Sequence, residues 1–132
     1  MVVAAATVVS GGAQAKTSAP TVSVSAPKGS LTKGTHYDIG ASGYSGGFNR
    51  VAIFVSVNTP CAATALGEAR TGTPEHLFRV AKYRSFALAT RNAYWAKAPG
   101  DRYACAYLFL HNHSDASDQL RAERHFRVVR KR

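Results

Sequence analysis

Gly100 to Tyr107, GDRYACAY, decides the fold. Ala98-Pro99-Gly100-Asp101 reads as a turn, and it leads directly into an apolar segment running from Tyr103 to Leu110. A strand that enters a core from a tight turn favours a large ring with one polar tip, and Tyr103 supplies both. Period-two alternation then puts Tyr103, Cys105 and Tyr107 on one face.

The same period recurs on either side. Thr21 to Ala26 alternates apolar and polar residues, and Pro27-Lys28-Gly29-Ser30 ends it. His36 to Ser42 alternates again, with Tyr37, Ile39 and Ala41 sharing a face. Gly43 to Gly47 reads as a loop. Arg50 to Val57, RVAIFVSV, is β-branched and apolar on both faces, as a central strand requires. Ala62 to Arg70 predicts a short helix or turn. Weaker strands are expected near 77–80 and 85–89, and a last one over 123–129, with Phe126 and Val128 on one face. The expectation is an all-β antiparallel sandwich of about seven strands.

The ends carry different information. Val2 to Val9 is an apolar run of about eight residues, far short of the roughly 20 that span a bilayer. Small residues and Ala13-Gln14-Ala15 follow it, the A-x-A form of a secretory cleavage site. Residues 1–15 are therefore expected to be a signal peptide, 16–20 a linker, 21–130 the sandwich and 131–132 a basic tail. No Lys or Arg precedes the apolar run, so a start truncated upstream is expected; the alternative is an N-terminal strand or an Ala/Gly segment. No other stretch is long and apolar enough to span a membrane as a helix.

The chain has two cysteines, Cys61 and Cys105. In an exported protein they read as one disulfide; in a reducing compartment they would be core thiols. The net charge is +10, which favours anionic partners such as wall polymers, acidic polysaccharide, anionic lipid or nucleic acid. Arg121, Arg124, Arg127, Arg130, Lys131 and Arg132 form a basic C-terminal stretch, a candidate anion-binding set.

Asp101-Arg102-Tyr103-Ala104-Cys105 has the form D-x-Y-x-C. With the strand order and the entry APTVSVSAP, it resembles a secreted bacterial immunoglobulin-like domain, of the kind found in exported actinobacterial proteins of unassigned function. The resemblance implies that the opening stretch is the sixth strand, F, and that Tyr103 is a tyrosine corner whose hydroxyl bonds back to the preceding turn. Two departures are visible. Ala41 stands about where the usual strand-B cysteine would be, and Trp95 lies between strands E and F instead of in strand C. A Cys61–Cys105 bridge would therefore pin the connection after strand C to strand F.

Two other motifs suggest chemistry. GYSGG, Gly43 to Gly47, has the G-x-S-x-G form of a nucleophile elbow, but a strand-like segment follows Ser45 where a helix is needed. His111, His113 and Asp115 form a candidate metal set if strand F extends to His113; the alternative is a polar F–G loop with half-solvated histidines. Tyr94-Trp95 reads either as a core plug or as an exposed sugar- or partner-binding patch. No catalytic constellation is complete and no cofactor is implied. The expected function is an exported, non-enzymatic binding or structural module at the cell envelope or outside the cell. Its expected partner is an anionic envelope polymer or another protein; nucleic acid does not suit a secreted chain. The alternatives are a basic binder of anionic polymers, or a small extracellular hydrolase or metal-binding protein.

Overall fold

A computed structural model describes residues 18–91 and 93–131. The expected signal peptide, the first residues of the linker and Arg132 lie outside them.

The described residues form an all-β fold with one short helix. The strands are β1 (Thr21–Ser25), β2 (Ser30–Thr32), β3 (His36–Tyr37), β4 (Gly40–Tyr44), β5 (Arg50–Val57), β6 (His76–Arg79), β7 (Ser85–Ala89), β8 (Tyr94–Trp95), β9 (Gly100–Phe109) and β10 (Leu120–Val129). Helix α1 (Ala65–Ala69) follows β5, as the Ala-rich segment predicts. Thr64 caps it by accepting the Gly67 amide at 3.1 Å.

Three sheets result: β1-β4-β7, β2-β10-β9-β5-β6 and the ribbon β3-β8. All pairings are antiparallel except that of β2 with β10. Val24, Ile39 and Ala41 meet Val51, Ile53, Ala104, Ala106, Leu108 and Phe126 in the main core, between the three- and five-stranded sheets. The opposite faces of β5 and β9 are also covered. Ala52, Phe54, Cys105, Tyr107 and Phe109 pack there beneath Cys61 and Ala65, in a second core under the 58–75 excursion. Burial on both faces is what the unbroken RVAIFVSV run requires.

The stretch 36–42, expected as one strand, is divided between two sheets. Tyr37, Ile39 and Ala41 are all buried, so the predicted face holds. Between β3 and β4, Thr90 takes over the pairing. Its amide donates to the Ile39 carbonyl at 3.0 Å and its hydroxyl accepts the Ile39 amide at 3.0 Å. Gly43 and Tyr44, expected in a loop, complete β4. β2 and β8 were not expected at all; each is short, and each is held by a partner distant in sequence.

Gly100 opens β9 with φ +141°. A Cβ there would lie 2.7 Å from Asn58 Oδ1, which accepts the Asp101 amide at 3.0 Å. Glycine thus lets the chain turn against Asn58 and feed directly into the strand.

Candidate functional site

The β3–β8 ribbon sorts four rings onto two faces. Tyr37 and Tyr94 are register partners and point inward, with centroids 5.6 Å apart in a stacked pair. Phe126 meets Tyr37 edge-on at 5.4 Å, and His76 meets Tyr94 edge-on at 5.0 Å. The Tyr94 hydroxyl donates to the Ile53 carbonyl at 3.3 Å. Burial pushes both phenols above their usual range; Arg102 partly opposes this at Tyr37, while Tyr37 adds to it at Tyr94.

His36 and Trp95, the other register pair, point outward. Their rings lie 6.1 Å apart and nearly parallel, and Lys97 Nζ stands 6.0 Å from the indole centroid. Trp95 is 53% exposed. The YW dipeptide is therefore divided: Tyr94 is the core plug and Trp95 the exposed ring.

Trp95 also lines a groove of about 300 Å³, together with Tyr37, Val55, Tyr94, Lys97 and Arg102 among others. Arg102 is only 5% exposed. Its Nη2 donates to the Ala98 carbonyl at 2.6 Å and its Nη1 to its neighbour Asp101's carbonyl at 3.0 Å. Among the described residues no carboxylate pairs with it. A second cleft, of about 350 Å³, is lined by Lys33, Pro99, Arg130 and Lys131. The segment Lys97-Ala98-Pro99 connects the two clefts.

The outer face of the five-stranded sheet is built differently. Cys61 and Cys105 are joined by a disulfide, with Cα atoms 5.8 Å apart. Around it, Glu123 accepts the Cys61 amide at 2.8 Å, Arg121 donates to the Cys61 carbonyl at 2.8 Å, and the Tyr107 hydroxyl donates to the Ala62 carbonyl at 2.7 Å. Buried Glu68 accepts the Ala62 amide at 2.9 Å and the hydroxyls of Thr71 and Thr73 at 3.2 Å. Burial, reinforced by the Glu68 and Glu123 carboxylates and opposed by Arg121, raises the Tyr107 phenol well above its usual range. Each of these groups is committed to holding the excursion down.

The sequence-predicted residues are distributed as follows. Strand β9 ends at Phe109, and residues 110–113 turn, with Asn112 at φ 66°. His111 and His113 are thus on a loop, and the strand extension on which their pairing depended does not occur. Among the described residues no group of three His, Cys, Asp or Glu gathers for a metal. Ser45 is fully buried; its hydroxyl donates to the carbonyls of Ala81 at 2.6 Å and Arg84 at 3.1 Å. Tyr103 lies on the disulfide face, its ring centroid 5.0 Å from that of His125.

The basic stretch is divided as well. Arg121 serves the Cys61 loop. Arg127 Nε and Nη2 reach Asp101 Oδ1 at 3.3 Å, and His125 Nε2 reaches the same oxygen at 2.9 Å. The His125 bond first, and then Arg127, hold the Asp101 carboxyl below the usual carboxylate range. Arg124 is exposed and lines neither cleft. Among the described residues of the set, Arg130 and Lys131 line the second cleft, joined by Lys33 from the other end of the chain.

Sequence reasoning passed over Lys33, Lys97 and Arg102. Arg102 had a signal: it shares the face of Ala104, Ala106 and Leu108, so alternation assigns an arginine to the core side of β9. No known family model matches this chain, and no curated protein matches it.

Proposed function

We propose that the chain is an exported immunoglobulin-like β-sandwich that acts without catalysis, as a binding or structural module outside the cell or at its envelope. The Cys61–Cys105 disulfide carries the reading, because such bonds persist in oxidising compartments. The strand connectivity supports the immunoglobulin-like part. On this reading β1, β4 and β7 correspond to strands A, B and E, and β5, β9 and β10 to C, F and G. The parallel β2–β10 pair accommodates a first strand that crosses from one sheet to the other. Ser45 supports the non-enzymatic part, since its hydroxyl is spent on two carbonyls inside the fold. Among the described residues no helix is long and apolar enough to cross a membrane.

The test is the intact mass of the protein recovered from its native export route, alkylated with and without prior reduction. A mass beginning at Lys16, with alkylation only after reduction, is expected. An uncleaved chain with two free thiols overturns the reading. A second reading, binding of anionic polymer, is favoured by the cations gathered at the β3–β8 end.

A further inference from the structure

The two clefts at the β3–β8 end share an uncommon lining. Their charged members are Lys97 and Arg102 in one, and Lys33, Arg130 and Lys131 in the other. All are cations. The neighbouring acid Asp101 lines neither cleft and is already engaged by His125 and Arg127. The clefts are close, because Lys97 and Pro99 are separated by at most about 7 Å of extended chain.

Arg102 makes the groove more than a basic surface. A buried charge normally has a counter-charge, since desolvating an ion costs several kcal/mol. Arg102 is nearly buried, is fixed by two carbonyls, and has no carboxylate partner among the described residues. Its side chain lines the groove and is held in place to receive an anion there. In the same groove, Trp95 offers an exposed ring extended by His36. A ring that is flat, apolar and wet at its edge suits a ligand of alternating apolar and polar character.

We infer that this end of the molecule binds a polyanionic carbohydrate chain. One sugar ring lies on Trp95, its acidic group is held by Arg102 and Lys97, and the next acidic groups fall in the Lys33–Arg130–Lys131 cleft. The shared chemistry is a carboxylate- or phosphate-bearing sugar. This site rests on the reading of the chain as a binding module, and supplies its ligand class.

Trp95 is the only tryptophan in the chain, so its emission reports this site alone. The disulfide-bonded full chain is titrated with polygalacturonate, with a phosphomannan, and with fully methyl-esterified polygalacturonate. A saturable change in Trp95 emission with at least one acidic polymer, absent with the ester, is expected; which polymer acts identifies the acid group. R130Q/K131Q and K97Q should each weaken binding by at least about tenfold, the size of one charge-assisted contact. R79Q/R84Q removes as much charge elsewhere and should leave binding within about twofold. Trp95→Ala, followed by calorimetry, should weaken binding while leaving thermal melting unchanged.

No saturable emission change with either acidic polymer overturns the site. So does equal weakening by R79Q/R84Q, or an equal response to single-stranded DNA, which would mark an unselective polyanion surface. Export is judged separately by the mass measurement, so a failed titration of a correctly cleaved, disulfide-bonded protein counts against the site and not against the exported module.

Discussion

The Cys61 amide donates to Glu123 Oε1 at 2.8 Å, and Glu123 lies directly across the β9–β10 ladder from Cys105, the other half of the disulfide. One position on the sheet therefore holds the excursion twice, once covalently and once by a carboxylate.

The two ties should be separable. The bridge spans 44 residues, and removing it with C61A/C105A should cost about 4 kcal/mol in the chain-entropy account. Glu123→Gln retains an acceptor and should cost about 1 kcal/mol or less, whereas Glu123→Ala leaves the Cys61 amide without its partner and should cost more. Urea unfolding of the single and combined variants checks this. Because both substitutions act on one loop, the combined loss should differ from the sum by about 0.5 kcal/mol or more.

Tyr94 and Trp95 should respond oppositely to truncation. Tyr94→Ala empties a buried aromatic site and should destabilise by about 3 to 5 kcal/mol. Trp95→Ala removes an exposed ring and should stay within about 0.5 kcal/mol. Thermal melts followed by circular dichroism distinguish the two; similar losses would refute the division of the pair.

Acid stability should depend on Asp101. Its carboxyl is held below the usual range by His125 and Arg127, so its contribution is present above the pKa of an unfolded aspartate. That contribution is lost as pH falls through the lowered native value. Asp101→Asn should therefore narrow the stability difference between neutral and acid conditions, as read from unfolding midpoints across pH.

At alkaline pH the sign reverses. Tyr37, Tyr94 and Tyr107 have raised native pKa values, chiefly from burial. The unfolded phenols ionise near about 10, so stability falls as pH rises past that point. Absorbance titration should show these three phenols ionising with unfolding, and Tyr107→Phe should remove one of them from the cooperative step.

Much of this architecture was legible because it depends on local alternation. RVAIFVSV reads as a strand buried on both faces, and alternation alone puts Tyr103, Cys105 and Tyr107 on the face they share in the fold. The elements that escaped are those made by distant partners. Ser30–Thr32 reads as the end of a turn and becomes a strand only because β10 lies beside it. Pairing of His111 with His113 requires alternation to continue past Phe109, where the chain instead turns. The cationic end escaped for the same reason as β2: Lys33, Lys97 and Arg130 are far apart in sequence, and only the fold collects them.

The parallel pairing of β2 with β10 has a mechanical consequence. Arg127, Val128 and Val129 run beside Ser30, Leu31 and Thr32 in the same direction, close to the two ends of the folded region. Tension applied between those ends slides the two strands lengthwise, loading their hydrogen bonds together instead of opening them one after another. The Lys33 amide, bonded to the Val129 carbonyl at 2.8 Å, extends that clamp by one more link. A module joined in series to other structures would resist being pulled apart at this seam.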